Sequence, residues 1–373
     1  MTDMIPFIDL KAQYARLHDD INARITGVLD GGQYILGPAV KEFEAELAEY
    51  TGCKHAITVS SGTDALFMPL LAMDLDATSA VFVPSFTYTS TAEAILLAKA
   101  TPVFVDVDED TFLIDMDDLN KKIDAAKKSG LTPKVIMPVD LFGQPADYPA
   151  LNAVAAAHGM TVISDAAQSF GGKSGNQMVG AMTDITATSF YPSKPLGCYG
   201  DGGAIFLDDD NMADVLRSVR AHGKGNHKYD VVRVGVNGRL DSMQAAILSS
   251  KLSIFEDELV ERERVAKIYD ANLKDAIVPV RVPNSRCAWA QYTVKVTDRD
   301  ALQAAAKEAG VPTMVFYPRP MHLQPAYRAY GGGEGSLPVS ERISDQVLSL
   351  PMNPYLSDDQ VMRVCDALNA HSK

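Results

Sequence analysis

The chain has 373 residues, 47% of them hydrophobic and 22% charged, and carries a formal net charge of −14 at pH 7. That apolar content excludes a disordered chain and is enough for a large core, expected to divide between two domains. The acidic balance works against nucleic acid or an anionic membrane as a partner, because the overall field repels both.

Leu17, Ile21, Ile25 and Val28 recur at helical spacing, and the pattern stops at Gly31-Gly32, which predicts an amphipathic helix with a glycine stop. Tyr34-Ile35-Leu36-Gly37-Pro38 breaks the chain, and Val40, Phe43, Leu47 and Tyr50 repeat the pattern as far as Gly52. Strands and helices then alternate, with strands expected at 56–59, 80–84, 102–106, 134–139 and 161–165 and helices at 64–73, 90–98, 116–128 and 148–158. Such alternation implies an α/β protein with a mostly parallel sheet and helices on both faces.

A helix over 211–221 leads into residues 223–238, which lack periodicity and read as a long loop, functional or merely superficial. With Arg220 and Arg239 at its margins, this segment is the most evident basic cluster, through Lys224, His227, Lys228 and Arg233. Residues 240–273 contain no Gly or Pro and predict one long or two consecutive helices linking the domains. The last third has strands expected at 291–297 and 313–317 and helices at 301–309, 339–348 and 358–370, with Ser357 and Gln360 as a capping box. A large domain over 1–250 and a smaller C-terminal α+β domain over 251–373 are therefore expected.

The four cysteines, Cys53, Cys198, Cys287 and Cys365, are widely spaced with no CxxC pair, and no secretory signal precedes Phe7, so a reducing cytoplasm is the expected location. No apolar run approaches the roughly 20 residues that span a bilayer. The seven histidines form no ligand-spaced pattern, and no metal is expected.

One stretch carries the chemistry. Between strands expected at 186–190 and 203–207, Pro192-Ser193-Lys194-Pro195-Leu196-Gly197 sets a single lysine in a stiff loop. A turn lysine is ordinarily just solvated, but the context differs here. The apolar run Val162-Ile163-Ser164 ends in Asp165, at the carboxyl end of a strand, where open α/β sheets place ligands. A lysine to form a Schiff base and a carboxylate to partner a pyridinium nitrogen are what pyridoxal phosphate requires. Ser60-Ser61-Gly62-Thr63-Asp64 offers a helix start for the phosphate, although the same residues also make an ordinary N-cap. Tyr88, just past a strand end, is placed either to stack on the cofactor ring or to pack. The proline-rich run 316–325 carries Arg319 and His322 and is either a substrate-facing loop or a stiff connection.

Phe7-Ile8-Asp9-Leu10, Gln33-Tyr34-Ile35-Leu36-Gly37-Pro38, Ser61-Gly62-Thr63-Asp64-Ala65-Leu66, Asp165-Ala166-Ala167-Gln168-Ser169, the Lys194 stretch and Asn237-Gly238-Arg239-Leu240-Asp241 together resemble, nearly end to end, the DegT/DnrJ/StrS family of nucleotide-sugar aminotransferases. The resemblance implies fold type I of the pyridoxal-phosphate transferases, which is aspartate aminotransferase-like. It implies that Lys194 forms the Schiff base, that Asp165 partners the pyridinium and that Gln168 lies beside the cofactor. Gly62, Thr63 and Ser189 would bind the phosphate, with Asp64 in the same site, and Tyr88 would stack on the ring. Asn237 would reach the neighbouring subunit's cofactor, which implies a homodimer with shared active sites. Lysine rather than histidine at 194 points to transamination rather than dehydration.

Residues 192–203 are most similar to the subgroup that aminates C3 of UDP-2-acetamido-2-deoxy-3-ketoglucuronate. L-glutamate would be the donor, pyridoxamine phosphate the intermediate cofactor form, and O-antigen lipopolysaccharide synthesis the setting. Arg239, Tyr317, Arg319 and His322 would face the substrate, and Phe316 stands where that subgroup is expected to have histidine. Three alternatives stay open: a dTDP-3-keto-6-deoxyhexose aminotransferase, a catalytically silent regulator that binds the cofactor or a sugar nucleotide, and a cysteine desulfurase using Cys198.

Overall fold

The computed structural model describes residues 5–227 and 229–370. Five strands alternate with helices: β1 (His55–Val59), β2 (Ser79–Pro84), β3 (Thr101–Val105), β4 (Thr132–Ile136) and β5 (Thr161–Asp165). A short hairpin, β6 (Lys173–Ser174) and β7 (Gln177–Met178), precedes β8 (Ile185–Ser189) and β9 (Gly203–Leu207). The main sheet has seven strands in the order β1-β9-β8-β5-β4-β2-β3. β9 pairs antiparallel with both neighbours, whereas β8, β5, β4, β2 and β3 pair in parallel. β1 therefore runs with the parallel set and β9 alone against it.

α1 (Leu10–Gly31) lies outside the layers, against Ile247, and the sheet is covered by α2 (Pro38–Thr51), α3 (Gly62–Ala72), α4 (Thr89–Leu97), α5 (Met116–Lys128), α6 (Tyr148–His158) and α7 (Asp210–Val219). Helices on both faces explain why every residue of β2, β8 and β9 is buried. Local signals set the boundaries. Asp9 caps α1 through Ala12 N, and Gly32 ends the helix in the left-handed region at φ 64°.

The stretch expected to join the domains forms two helices, α8 (Ser242–Leu252) and α9 (Phe255–Asn272), broken at Ser253-Ile254. α9 serves two cores. Phe255 and Leu259 pack with Phe170 and Phe190 under the main sheet. Val265, Ala266 and Tyr269 join a second core with Trp289, Tyr292, Val294, Leu348, Val361 and Leu368, and Ile5 inserts into it. That second core is framed by β10 (Ser285–Arg286), β11 (Tyr292–Lys295), α10 (Arg299–Glu308), α11 (Pro338–Gln346), β12 (Val347–Leu350) and α12 (Asp358–Asn369). β10 pairs with the β6 hairpin, and β11 with β12. The Ser357/Gln360 capping box is formed.

Two expected elements differ. Residues 313–317 form no strand beyond a single bridge, Met314 to Ser349. Val347 and Leu348, expected as the end of a helix, belong to the fully buried β12 (Val347–Leu350); an apolar run this short has no periodicity of its own, and pairing with β11 decides it. Among the described residues no helix is long and apolar enough to cross a membrane, and no cluster of ligating side chains could hold a metal ion.

Candidate active site

A parallel sheet delivers its strand ends to one edge, and the candidate residues meet there. β5 closes on Asp165, β8 on Ser189 with Lys194 five residues later, β1 runs into α3, and β2 runs into Ser85–Tyr88 and α4.

The Lys194 loop closes on itself. Lys194 N donates to Tyr191 O (2.8 Å) and Cys198 N to Phe190 O (2.8 Å). Glycine is required at 197, where a Cβ would stand 2.6 Å from Pro192 O and 2.7 Å from Tyr191 O. From behind, the Gln244 amide of α8 exchanges hydrogen bonds with the Tyr199 backbone (2.8 and 3.2 Å), and Lys251 Nζ donates to Gly197 O (2.5 Å). Among the described residues the Lys194 amine has no hydrogen-bond acceptor. Burial pushes it down to about 8, against the pull of the Asp165 charge. Only a neutral amine is a nucleophile or base, so this is the direction that covalent chemistry requires.

Asp165 is buried, and its Oδ2 accepts from Thr91 Oγ1 (2.7 Å) and its Oδ1 from Ala167 N (3.2 Å). Burial raises its proton affinity although these bonds and Lys194 oppose the rise. A buried carboxylate with an acceptor's capacity to spare fits a protonated ring nitrogen set before it. Three residues on, Gln168 donates from Nε2 to Tyr317 Oη (3.2 Å), and its Oε1 accepts from Phe142 N (2.6 Å). Tyr317's phenol is pushed up by burial and by Asp165. Tyr88, 56% exposed, lies 6.0 Å from Tyr317 between ring centroids and keeps an aromatic face open.

The phosphate end has its own cradle. Ser61 Oγ caps Asp64 N (3.1 Å), leaving the first two amides of α3, Gly62 and Thr63, without intrahelical acceptors. A Cβ at Gly62 would fall 2.6 Å from the Ser189 Cβ, so glycine is what lets β8 approach this helix start. Thr63 Oγ1 lies 2.8 Å from Ser90 Oγ, which brings the start of α4 alongside. Two helix N-termini and the hydroxyls of Thr63, Ser90 and Ser189 thus gather where an anion would sit. The Asp64 carboxylate is turned to the Ser60 hydroxyl. Free amine, buried carboxylate, open aromatic face and anion cradle together fit pyridoxal phosphate.

The expected substrate residues are less closely gathered. Tyr317 joins the site through Gln168. Arg319 is exposed, with no side-chain partner among the described residues. Arg239 is half-buried with its Nε unpartnered, and Asn237 is exposed on a loop whose Gly238 carbonyl accepts from Ser60 N (3.1 Å). His322 does not face a ligand. It is 1% exposed, with Nδ1 on Ser85 Oγ (2.7 Å) and Nε2 on Glu341 Oε1 (3.0 Å), which makes it a tie between β2 and α11. Arg220 is likewise spent, on Glu44 and on Thr58 O (2.8 Å). Lys228 lies outside the described residues. Cys198 is buried, its Sγ donates to backbone carbonyls, and burial pushes the thiol up to about 11, the opposite of what a desulfurase nucleophile needs.

Sequence reasoning passed over Ser90 and Thr91, which line the phosphate cradle and brace Asp165. The hydroxyl run Thr89-Ser90-Thr91 after a strand end was the available signal, and it also reads as a plain helix start.

Comparison with known proteins agrees with this geometry. The description "DegT/DnrJ/EryC1/StrS aminotransferase family" matches residues 15–369. The UDP-2-acetamido-2-deoxy-3-oxo-D-glucuronate aminotransferase of Pseudomonas aeruginosa is 46% identical over 369 residues, 98% of this chain and 99% of that protein. The crystal structure of a DegT DnrJ EryC1 StrS aminotransferase from Brucella abortus superposes with a TM-score of 0.96 at 49% identity, covering 99% of both chains. DesV of S. venezuelae, solved in complex with a ketimine intermediate, gives a TM-score of 0.94 at 39% identity, covering 99% of this chain and 98% of its own.

Proposed function

The chain belongs to the DegT/DnrJ/EryC1/StrS aminotransferase family and is a pyridoxal-phosphate-dependent enzyme; from that premise we propose that it transfers the amino group of L-glutamate to C3 of UDP-2-acetamido-2-deoxy-3-oxo-glucuronate. The observation that carries the substrate is the Pseudomonas aeruginosa relative, 46% identical along 98% of this chain. The proposal includes a cytoplasmic location and a role in making the amino sugars of O-antigen lipopolysaccharide.

When bound, pyridoxal phosphate supplies the electron-withdrawing ring that lets the carbon bearing the nitrogen lose a proton. The chain does the rest. Asp165 holds the cationic ring nitrogen, the Gly62 and Thr63 amides with Ser189 hold the phosphate, and Tyr88 and Gln168 fix the ring. The Lys194 Nζ, whose proton burial loosens until it leaves near 8, takes in its neutral form the proton from the substrate carbon and returns it on the other side of the transfer. Arg239 and Arg319 are the cations proposed for the substrate's acidic groups.

A homodimer with shared sites belongs to the same reading. The loop that carries Asn237 exposes Val231 (66%), Val232 (53%) and Val234 (77%), an apolar run that a second subunit would cover. The division near residue 250 is proposed in the form of two cores bridged by α9.

Phe316 favours a second substrate, since a phenyl ring offers no hydrogen bond to a sugar carboxylate. That substrate is a 3-keto-6-deoxyhexose on dTDP. The test is to load the purified chain with pyridoxal phosphate, follow the visible band on adding L-glutamate, and then offer each keto sugar with product mass as readout. Bleaching by glutamate and amination of the UDP-uronate is the expected result. Amination of the dTDP sugar alone would transfer the proposal to the second reading, and no band at all would sink it.

A further inference from the structure

Behind Asp165 stands a second buried carboxylate that the steps above do not use. Asp140 has no exposed surface (0%). Its Oδ1 accepts from Tyr148 Oη (2.5 Å) and Ala146 N (2.8 Å), and its Oδ2 accepts from Ser169 Oγ (2.5 Å). Its own amide donates to Asp165 O (3.0 Å), while Asp165 N donates to Pro138 O (2.9 Å). Ser169 and Asp165 bracket Gln168, whose Oε1 is held by Phe142 N, two residues beyond Asp140. One side chain therefore fastens two turns, 140–146 and 165–169, that present Asp165 and Gln168 to the cofactor site.

Charge makes the placement informative. The titratable groups that face Asp140 are Tyr148 of α6, Asp165 of β5 and Cys287. Burial keeps Tyr148 and Cys287 protonated, the thiol at about 12, so neither brings a compensating cation. Asp140 itself is pushed up to about 7 by burial, with Asp165 adding to the rise. Asparagine would accept the same bonds from Tyr148 and Ala146 and pair with Ser169, without burying a charge. Among the described residues no cation pairs with this carboxylate, and it gains one when a protonated ring nitrogen binds in front of Asp165.

We propose that Asp140 is a positioning residue of the cofactor site, which fixes the Asp165–Ser169 turn from behind and adds a second negative charge that favours the protonated cofactor ring. The inference rests on the reading of Lys194 and Asp165 given above. Two full-length variants separate its parts, because Asp140→Asn removes the charge but keeps the bonds, while Asp140→Ala removes both. Each is titrated with pyridoxal phosphate, its visible band is followed against pH, and kcat and KM for glutamate are measured separately. Asp140→Asn should lower the apparent pKa of the band by about half a unit or more and reduce kcat about tenfold, with KM nearly unchanged. Asp140→Ala should in addition weaken cofactor binding about tenfold as the turn loosens. Wild-type band pKa and kcat in Asp140→Asn would overturn the inference, whether or not Asp140→Ala folds. A wild-type chain that forms no band at all would sink the reading of Lys194 and this inference with it.

Discussion

Lys194 and Lys251 lie on opposite sides of one loop, and burial presses both amines down to about 8. Lys251 is fully enclosed, donates to Gly197 O at 2.5 Å and lies 3.8 Å over the Tyr199 ring, so its protons are committed. Lys194 has the same perturbation without an acceptor among the described residues, and it faces the Asp165 carboxylate at a strand end. A depressed pKa thus reports desolvation in both places, and only the inventory of partners tells a reactive amine from a structural one.

The comparison breaks most visibly at Lys194. Lys194→Ala should lower transamination by more than about 10³-fold while leaving the melting temperature within a degree or two, measured by steady-state assay and thermal melt. Next comes pH. Because the neutral amine is the reacting species and its proton leaves near 8, the rate of cofactor attachment should rise about tenfold per pH unit below that value and level above it, as read by stopped-flow absorbance.

The carboxylates repeat the pattern at lower amplitude. Asp140 binds its proton more tightly folded than unfolded, so its contribution to stability is complete below the ordinary carboxylate range, about 4, and is lost as pH rises through about 7. Apo Asp140→Asn escapes that loss and should gain on the wild type by up to about 2–4 kcal/mol at pH 8, with the gain shrinking toward pH 5 in denaturant titrations. The smallest effect on activity is expected at Lys251. Lys251→Met leaves Gly197 O unpaired and should cost about 1–3 kcal/mol of stability but less than tenfold in kcat. Loss of activity as deep as that of Lys194→Ala would erase the distinction between the two lysines.

The alternating elements up to β5, the paired helices α8 and α9, and the Lys194–Asp165 pair were legible because periodicity, glycine stops and strand-end position are local signals. β12 and β10 were not, since strands of two to four residues owe their existence to partners roughly 50 to 110 positions away. His322 shows the same limit within the site. An exposed-looking histidine in a proline-rich run turns out to be enclosed by Ser85 and Glu341, partners that no spacing rule connects to it. Asp140 was invisible for a related reason, because its meaning lies in Ser169 and Tyr148 closing around it.

Ile5, buried to 1% among residues 265–368, has a consequence for the order in which the molecule is made. Met352 N also donates to Phe7 O at 3.2 Å, so the first described residues are partners of nearly the last. During synthesis at roughly 5–20 residues per second, that apolar side chain waits tens of seconds for its socket. The main sheet can assemble in the interval, because its seven strands, all before α7, pair only with one another. The second core is thus the late event, and a ribosome stalled before α12 would leave Ile5 without its complete socket beside an already formed main sheet.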